Sequence, residues 1–322
     1  MTTFKEIRGT AVQSVSSDPS NPEVGQIWYN NSIGVLKGYQ SIGAAWASGG
    51  NLATARQSSA GAGTQTAGLG FGGLTTVVVA NTEEYDGATW TAGGSLGTAR
   101  YVLGGCGTQT AGLAFGGNAG ALTAATEEYD GSAWTGGGNM GTARRVLAGT
   151  GLQTAGLAFG GYITTTQSAT EEYDGSTWTA GGNLATARYG PAGAGTQTAG
   201  LGFGGYTTTF VANTEEYDGS AWTAGGSLTT ARNALAGCGT QTAGLAIAGY
   251  TGTAPGVAIT EEYNGSAWTA GGTMTTARYQ ISGVGTQTLA LAFGGLTTVN
   301  SAATEEYTNP SFAVKTITTS TS

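Results

Sequence analysis

An all-β chain folded as a ring of small four-stranded sheets, a β-propeller, is what this sequence predicts, on three observations. The first is a period. Trp46, Trp90, Trp134, Trp178 and Trp222 stand 44 residues apart, and Trp268 follows after 46. Arg56, Arg100, Arg144, Arg188, Arg232 and Arg278 keep the same step, as do Tyr85, Tyr129, Tyr173, Tyr217, Tyr263 and Tyr307, giving six nearly identical units. The second is the make-up of each unit: four short strand-like runs joined by turn residues. The third is where the glycines fall. There are 60 in 322 residues, but no triplet period and only five prolines, which excludes collagen. They alternate with bulky side chains instead. Units of about 40–50 residues, too small to hold a core alone, must stack, and four-stranded units stacked radially make a propeller.

The first unit shows the elements in order. Residues 57–63, QSSAGAG, form the first run, and TQT turns the chain. The G-x-G of this run recurs in every unit, from Gly61-Ala62-Gly63 to Gly283-Val284-Gly285. No helix pattern follows it, which argues against a phosphate loop; crowding beside the ring axis accounts for the glycines. Residues 67–73, AGLGFGG, form the second run. Side chains alternate along a strand, so Ala67, Leu69 and Phe71 face one way and Gly68, Gly70 and Gly72 the other. The sixth unit repeats this with Leu289, Leu291 and Phe293 against Ala290, Ala292 and Gly294. The bulky face of one unit should therefore fill the bare face of the next. A loop of eight residues follows, ten in the fifth unit. TEEY, 82–85, is the third run and ATWTAGG, 88–94, the fourth, with Asp86-Gly87 read as a two-residue hairpin between them. Pro191 and Pro255 fall where the units vary, and Pro19, Pro22 and Pro310 outside the regular strand slots, as ladder hydrogen bonding demands.

The order Arg56, Gly72-Gly73, Tyr85, Trp90, repeated five more times, resembles the kelch repeat over residues 56–312. Ala248-Gly249 and Phe312 depart from that pattern, and the Tyr-to-Trp spacing of five is shorter than the common one. The resemblance implies a kelch-like propeller but no single function, since that family supplies adaptors, scaffolds and occasional enzymes. Residues 1–55 are less regular. GQIWYN (25–30), VLKGYQ (35–40) and AAWASGG (44–50) look like second, third and fourth strands, favouring a seventh, irregular blade, with 313–322 as a C-terminal strand or tail. The alternative is six blades closed by the Trp46 strand. Residues 19–39, PSNPEVGQIWYNNSIGVLKGY, resemble a hairpin found near the N-termini of phage tail-fibre and other virion proteins. That resemblance implies attachment of the 1–55 segment to other virion proteins.

Composition narrows the function. The chain has 11 basic and 19 acidic residues, a formal net charge of −8, which argues against nucleic acid as a partner. No run of 18 apolar residues exists, and MTTFKEIRGT has no apolar signal region, so neither membrane insertion nor a secretory signal is expected. The absence of histidine removes Ser-His-Asp hydrolysis, histidine-held zinc, haem or copper, and the usual general base. Cys106 and Cys238 fill the slot that holds Ala62, Thr150, Ala194 and Val284 elsewhere, and read as small, free residues. The expectation is a protein that is not an enzyme and has no cofactor and no metal.

The paired carboxylates, such as Glu83-Glu84, recur six times. Neighbours on a strand point to opposite faces, so they do not converge as a glycosidase pair must. Of 30 charges, 22 belong to the repeat, which suggests pairing. The arginines Arg56, Arg100, Arg144, Arg188, Arg232 and Arg278 are expected to meet Glu84, Glu128, Glu172, Glu216, Glu262 and Glu306. Binding is sought where the units diverge: the loop after Gly-Gly, and the three residues after Thr-Ala-Arg. In an up-and-down blade the connections holding these zones emerge on one side. Tyr101, Tyr189 and Tyr279 follow the arginine motif; Tyr162, Tyr206, Phe210 and Tyr250 follow Gly-Gly. A rim of aromatics suits stacking on sugars or anchoring a protein. Taken with the hairpin resemblance, the expectation is a virion appendage, a phage tail or capsid fibre, assembled in the host cytoplasm and exposed outside the cell. It would bind a host-surface glycan or protein through this face, and a homo-oligomeric state stays open. The alternatives are an intracellular kelch-type interaction scaffold and a purely structural virion decoration protein.

Overall fold

The computed structural model describes residues 12–23 and 25–317. Among the described residues every regular element is a strand, and the strands form five four-stranded sheets and one six-stranded sheet. The chain divides into two compact units, Ala45–Thr308, and Met1–Ala44 with Asn309–Ser322.

Ala45–Thr308 is a β-propeller. Its first blade runs outward through Ala60–Gly63, Gly68–Phe71, Thr82–Tyr85 and Trp90–Gly93, all antiparallel. Four further blades repeat this order. The six inner strands neighbour one another in a closed circuit, Ser282–Gly285 returning to Ala60–Gly63. Of the two closures open to the sequence, the ring takes the second. Ser282–Gly285, Leu289–Phe293 and Thr304–Thr316 are the inner three strands of the sixth blade, and Val35–Ser48 is its outer one. The Gly49 amide donates to the Thr304 carbonyl at 3.0 Å, and the Trp46 ring lies 4.9 Å from Tyr307, as Trp90 lies 5.0 Å from Tyr85. The Trp46 strand is thereby used up in blade six.

Blades stack as the glycine alternation predicts. Leu69 and Phe71 are fully buried. A Cβ added at Gly112 of the next blade would come within 2.7 Å of the Leu69 side chain, and one at Gly105 within 2.6 Å of the Phe71 ring. Burial of each such Leu or Phe contributes about 1.5–3 kcal/mol. Polar contacts then fix the blade spacing. Every repeat tryptophan donates from Nε1 to the TEEY threonine of the preceding blade, at 2.9 Å for Trp90, Trp134, Trp178, Trp222 and Trp268 and 3.0 Å for Trp46. Every TQT glutamine donates across the same junction. Gln109 Nε2 reaches the carbonyls of Gly68 (3.1 Å) and Tyr85 (2.7 Å), and Gln65 does the same at the closure, to Ala290 (3.2 Å) and Tyr307 (2.6 Å).

Two sequence expectations are corrected. The Asp-Gly turn is not a two-residue hairpin: Tyr85 pairs with Trp90, leaving four residues in the loop. The Asp86 carboxylate accepts from the amides of Ala88 and Thr89, satisfying a loop that the backbone alone leaves open. Asn264 does the same with its side-chain oxygen. Pro310 lies inside the strand Thr304–Thr316 rather than outside the strand slots. The ladder to Leu289–Phe293 ends at Thr308, so no bond on that side needs the missing N–H.

In the smaller unit, Gln13–Val15 runs parallel to Ile27–Asn30, which forms a hairpin with the strand starting at Val35. VLKGYQ and AAWASGG, read as separate strands in the sequence, belong to the one strand Val35–Ser48. Asp18 gathers the hairpin. Its carboxylate accepts from Lys37 Nζ (2.5 Å), Asn30 Nδ2 (2.8 Å) and the indole of buried Trp28 (3.1 Å), and these bonds hold its pKa down at about 2. The C-terminal segment adds a strand, with the Ile317 amide donating to the Leu36 carbonyl. Residues 1–11 and 318–322, parts of the expected attachment segment and tail, lie outside the described residues.

Candidate ligand-binding face

The repeat charges are structural, with one reassignment. The arginines pair with the first glutamate of each TEEY, not the second: Arg56–Glu83 (3.2 Å), Arg100–Glu127 (3.0 Å), Arg144–Glu171 (3.1 Å), Arg188–Glu215 (3.2 Å), Arg232–Glu261 and Arg278–Glu305 (2.9 Å). All six guanidinium groups are buried, and burial lowers their pKa while the partner glutamate opposes it. The other oxygen of each first glutamate takes an amide of the incoming connection, for example Gly97 to Glu127 at 2.5 Å. The second glutamates Glu84, Glu128, Glu172, Glu216, Glu262 and Glu306 accept instead from the tyrosine hydroxyl of the next blade, as Tyr129 donates to Glu84 at 2.5 Å. The register explains the swap. Glu84 is the cross-strand partner of Leu69 and shares its face toward the next blade, whereas Glu83 sits opposite Gly70.

The two variable zones meet on one face, held by a uniform backbone frame. The first residue after Thr-Ala-Arg bridges to the first after Gly-Gly in all six blades: Gln57 to Leu74, Tyr101 to Asn118, Arg145 to Tyr162, Tyr189 to Tyr206, Asn233 to Tyr250 and Tyr279 to Leu296. The second residue after Thr-Ala-Arg has a left-handed backbone in every blade, including Val102 at φ 49° and Val146 at φ 54°. Positive φ in a β-branched residue is an outlier that only a determined surrounding holds. The surrounding is a closed ring of hydrogen bonds. The Val102 amide donates to the Ser58 carbonyl, Val146 to Val102, Gly190 to Val146, Ala234 to Gly190, Gln280 to Ala234 and Ser58 to Gln280, all between 2.8 and 3.0 Å.

These six residues floor a concavity of about 850 Å³. Its wall includes Tyr101, Tyr162, Tyr189 and Tyr206. Beyond the wall the aromatic series continues. Ring centroids are 5.5 Å apart for Tyr162–Tyr189, 5.3 Å for Tyr189–Tyr206, 5.1 Å for Tyr206–Phe210, 5.7 Å for Phe210–Tyr250 and 4.7 Å for Tyr250–Tyr279. Six of the seven candidate aromatics therefore form one unbroken arc over blades three to six, and Tyr101 lines the concavity apart from it. Burial, and the neighbouring Tyr206 and Tyr162 hydroxyls, push the Tyr189 phenol above its usual pKa.

Two lining residues escaped the sequence reading. The Arg145 guanidinium carbon lies over the Tyr162 ring, 5.6 Å from its centroid, and its signal was the doubled arginine of TARR. Asn233 is nine-tenths buried with its Oδ1 unpartnered, and its one mark in the sequence is its place directly after Thr-Ala-Arg. At the axis the G-x-G strands enclose a narrow space of about 130 Å³. There the thiols of Cys106 and Cys238 are free and buried, directed at the carbonyls of Leu152 and Thr286 in the next blades. No protein-family model and no curated protein matches the chain.

Proposed function

We propose that the protein is a non-enzymatic binding propeller of kelch-like type, borne on a virion as a tail or capsid fibre. It takes a host-surface glycan in the concavity of its variable face, while the 1–55 segment joins other virion proteins. The observation that carries this reading is the aromatic arc. The repeats are nearly alike everywhere except in two zones, and those zones assemble a concavity walled by Tyr162, Tyr189 and Tyr206, from which the arc runs on through Phe210, Tyr250 and Tyr279. Aromatic faces with hydroxyl tips are what a pyranose ring stacks on. The volume lies within the range of about 300–1,000 Å³ usual for small-ligand sites. The virion placement rests on the hairpin resemblance of residues 19–39 alone.

The test is a glycan array probed with the full chain, beside the double variant Tyr162→Ala with Tyr206→Ala. Two stacking contacts at about 0.5–1.5 kcal/mol each predict a loss of roughly tenfold in affinity, with the thermal midpoint little changed. A double variant that binds as the parent does removes the arc from the binding site. A parent chain that binds no glycan leaves a decoration protein as the better reading. Immunogold labelling of purified virions tests the placement.

A further inference from the structure

Charge is distributed over the propeller in a way the glycan reading does not require. Residues 45–308 contain seven arginines and no lysine. Six of the arginines are the buried partners of Glu83 and its equivalents. The seventh is Arg145, and among the described residues no carboxylate lies within ion-pair distance of it. The acids are equally committed. The first glutamates face the buried arginines, the second face tyrosine hydroxyls, and Asp86, Asp130, Asp174 and Asp218 cap their own turns. None of them lines the concavity. A chain of net charge −8 thus holds one unneutralised cation in its concave face and no anion there.

We propose, resting on the glycan reading, that this site selects an acidic sugar, one carrying a carboxylate on or beside the ring, and that Arg145 is its anchor. The guanidinium carbon lies over the Tyr162 ring, 5.6 Å from its centroid, which sets the cation beside the aromatic wall. A planar fork meets a carboxylate through two parallel hydrogen bonds. One cation balances one carboxylate. A polymer with a phosphate at every repeat would need several cations, and the remaining lining is neutral. Tyr162 and Tyr189, 5.5 Å apart, supply the stacking surface beside the anchor. Asn233 also lines the concavity and keeps an unpaired side-chain oxygen, a further polar group beside the site.

The experiment compares matched pairs on one array: sialylated and uronic-acid oligosaccharides, each beside its methyl ester and its neutral counterpart. A glycan phosphorylated on the same backbone forms a further arm. The full chain is measured at low salt and at 0.5 M NaCl, with Arg145→Gln and Arg145→Lys alongside. The expected result is roughly a tenfold or greater preference for the free carboxylate over its ester. That preference should shrink with salt, disappear in Arg145→Gln and persist in part in Arg145→Lys. Because the readout is a ratio within one protein, a loss of folded material does not mimic it. Equal binding of acid and ester, a preference that survives Arg145→Gln, or stronger binding of the phosphorylated arm each overturns the inference while leaving the glycan reading in place. Binding of none of the glycans overturns both.

Discussion

Replacing Gln109 tests whether the turn glutamines, one in every unit, hold the ring together. Its side-chain amide spans the junction of blades one and two, donating to two backbone carbonyls at 3.1 and 2.7 Å. Neither carbonyl belongs to its own blade, so both bonds count toward blade adhesion. Each is worth about 0.5–1.5 kcal/mol net, so Gln109→Ala should cost about 1–3 kcal/mol. In a chain this long that lowers the thermal midpoint by roughly 2–8 °C. Gln109→Glu sharpens the test, because it keeps the shape, removes both donors and sets an anion against two acceptors. At neutral pH it should cost more than alanine, about 3 kcal/mol or above. Below the carboxylate range the introduced carboxyl is protonated and regains one donor, so the deficit of this variant should narrow. Gln65→Ala, at the closure of the ring, should cost the same as Gln109→Ala, because its two bonds have the same geometry. Urea unfolding monitored by tryptophan fluorescence measures all four proteins. If Gln109→Glu is no worse than Gln109→Ala at pH 7 and its stability does not rise on acidification, the glutamines are not acting as donors across the junctions.

The adjacent glutamates should behave unequally: Glu127→Gln strands the buried Arg100 and should cost about 3–5 kcal/mol. Glu128→Gln keeps an acceptor for Tyr173 and should cost about 1 kcal/mol, and equal losses in urea would refute the assignment of partners. Burial first, and the bond to glutamate next, raise the pKa of Tyr85, Tyr129, Tyr173, Tyr217 and Tyr263 to about 12, above the value of about 10 in the unfolded chain. Their contribution is therefore intact below pH 10 and lost as the pH climbs toward 12, so the urea midpoint should fall across that window and a flat profile would count against it. Burial pushes the Cys106 and Cys238 thiols up to about 12, so neither should react with a thiol reagent at pH 8 until denaturant is added.

What the sequence revealed depended on how local the cause was. The period of Trp46 to Trp268 and the alternation of Leu69 with Gly70 are properties of one strand and its repeat, so the blades and their stacking could be read directly. The common location of the two variable zones followed from up-and-down connectivity alone. The glutamate partners did not follow, because alternation says only that Glu83 and Glu84 face apart. Which of them faces the next blade is set by the pairing of Glu84 with Leu69, a non-local register. The turn after Tyr85 was misjudged for a similar reason: Asp86-Gly87 is a hairpin signal, but the Asp86 carboxylate bonds two amides ahead and lengthens the loop. Arg145 and Asn233 stand in the divergent zone after Thr-Ala-Arg, but divergence marks a zone and not the residue within it, and the aromatics stood out there first.

The backbone ring at the floor of the concavity explains how one frame carries different surfaces. Its six positions hold Ser58, Val102, Val146, Gly190, Ala234 and Gln280, residues with nothing in common but a left-handed backbone. Only the amide and carbonyl of each are needed to close the circuit. A left-handed conformation costs a residue with a Cβ about 1–2 kcal/mol, so the surrounding contacts must over-determine it. They do so from three sides: the bridge from the preceding residue, the ring bond itself, and the buried arginine two positions back with its glutamate. With the conformation fixed by backbone and by groups that repeat, the six floor side chains need not be alike, whereas Leu103, Leu147, Leu235 and Ile281 of the lining remain part of the buried core. Exchanges at exposed positions there should alter the proposed binding surface without moving the blades, whereas exchanges of the turn glutamines should disturb the junctions.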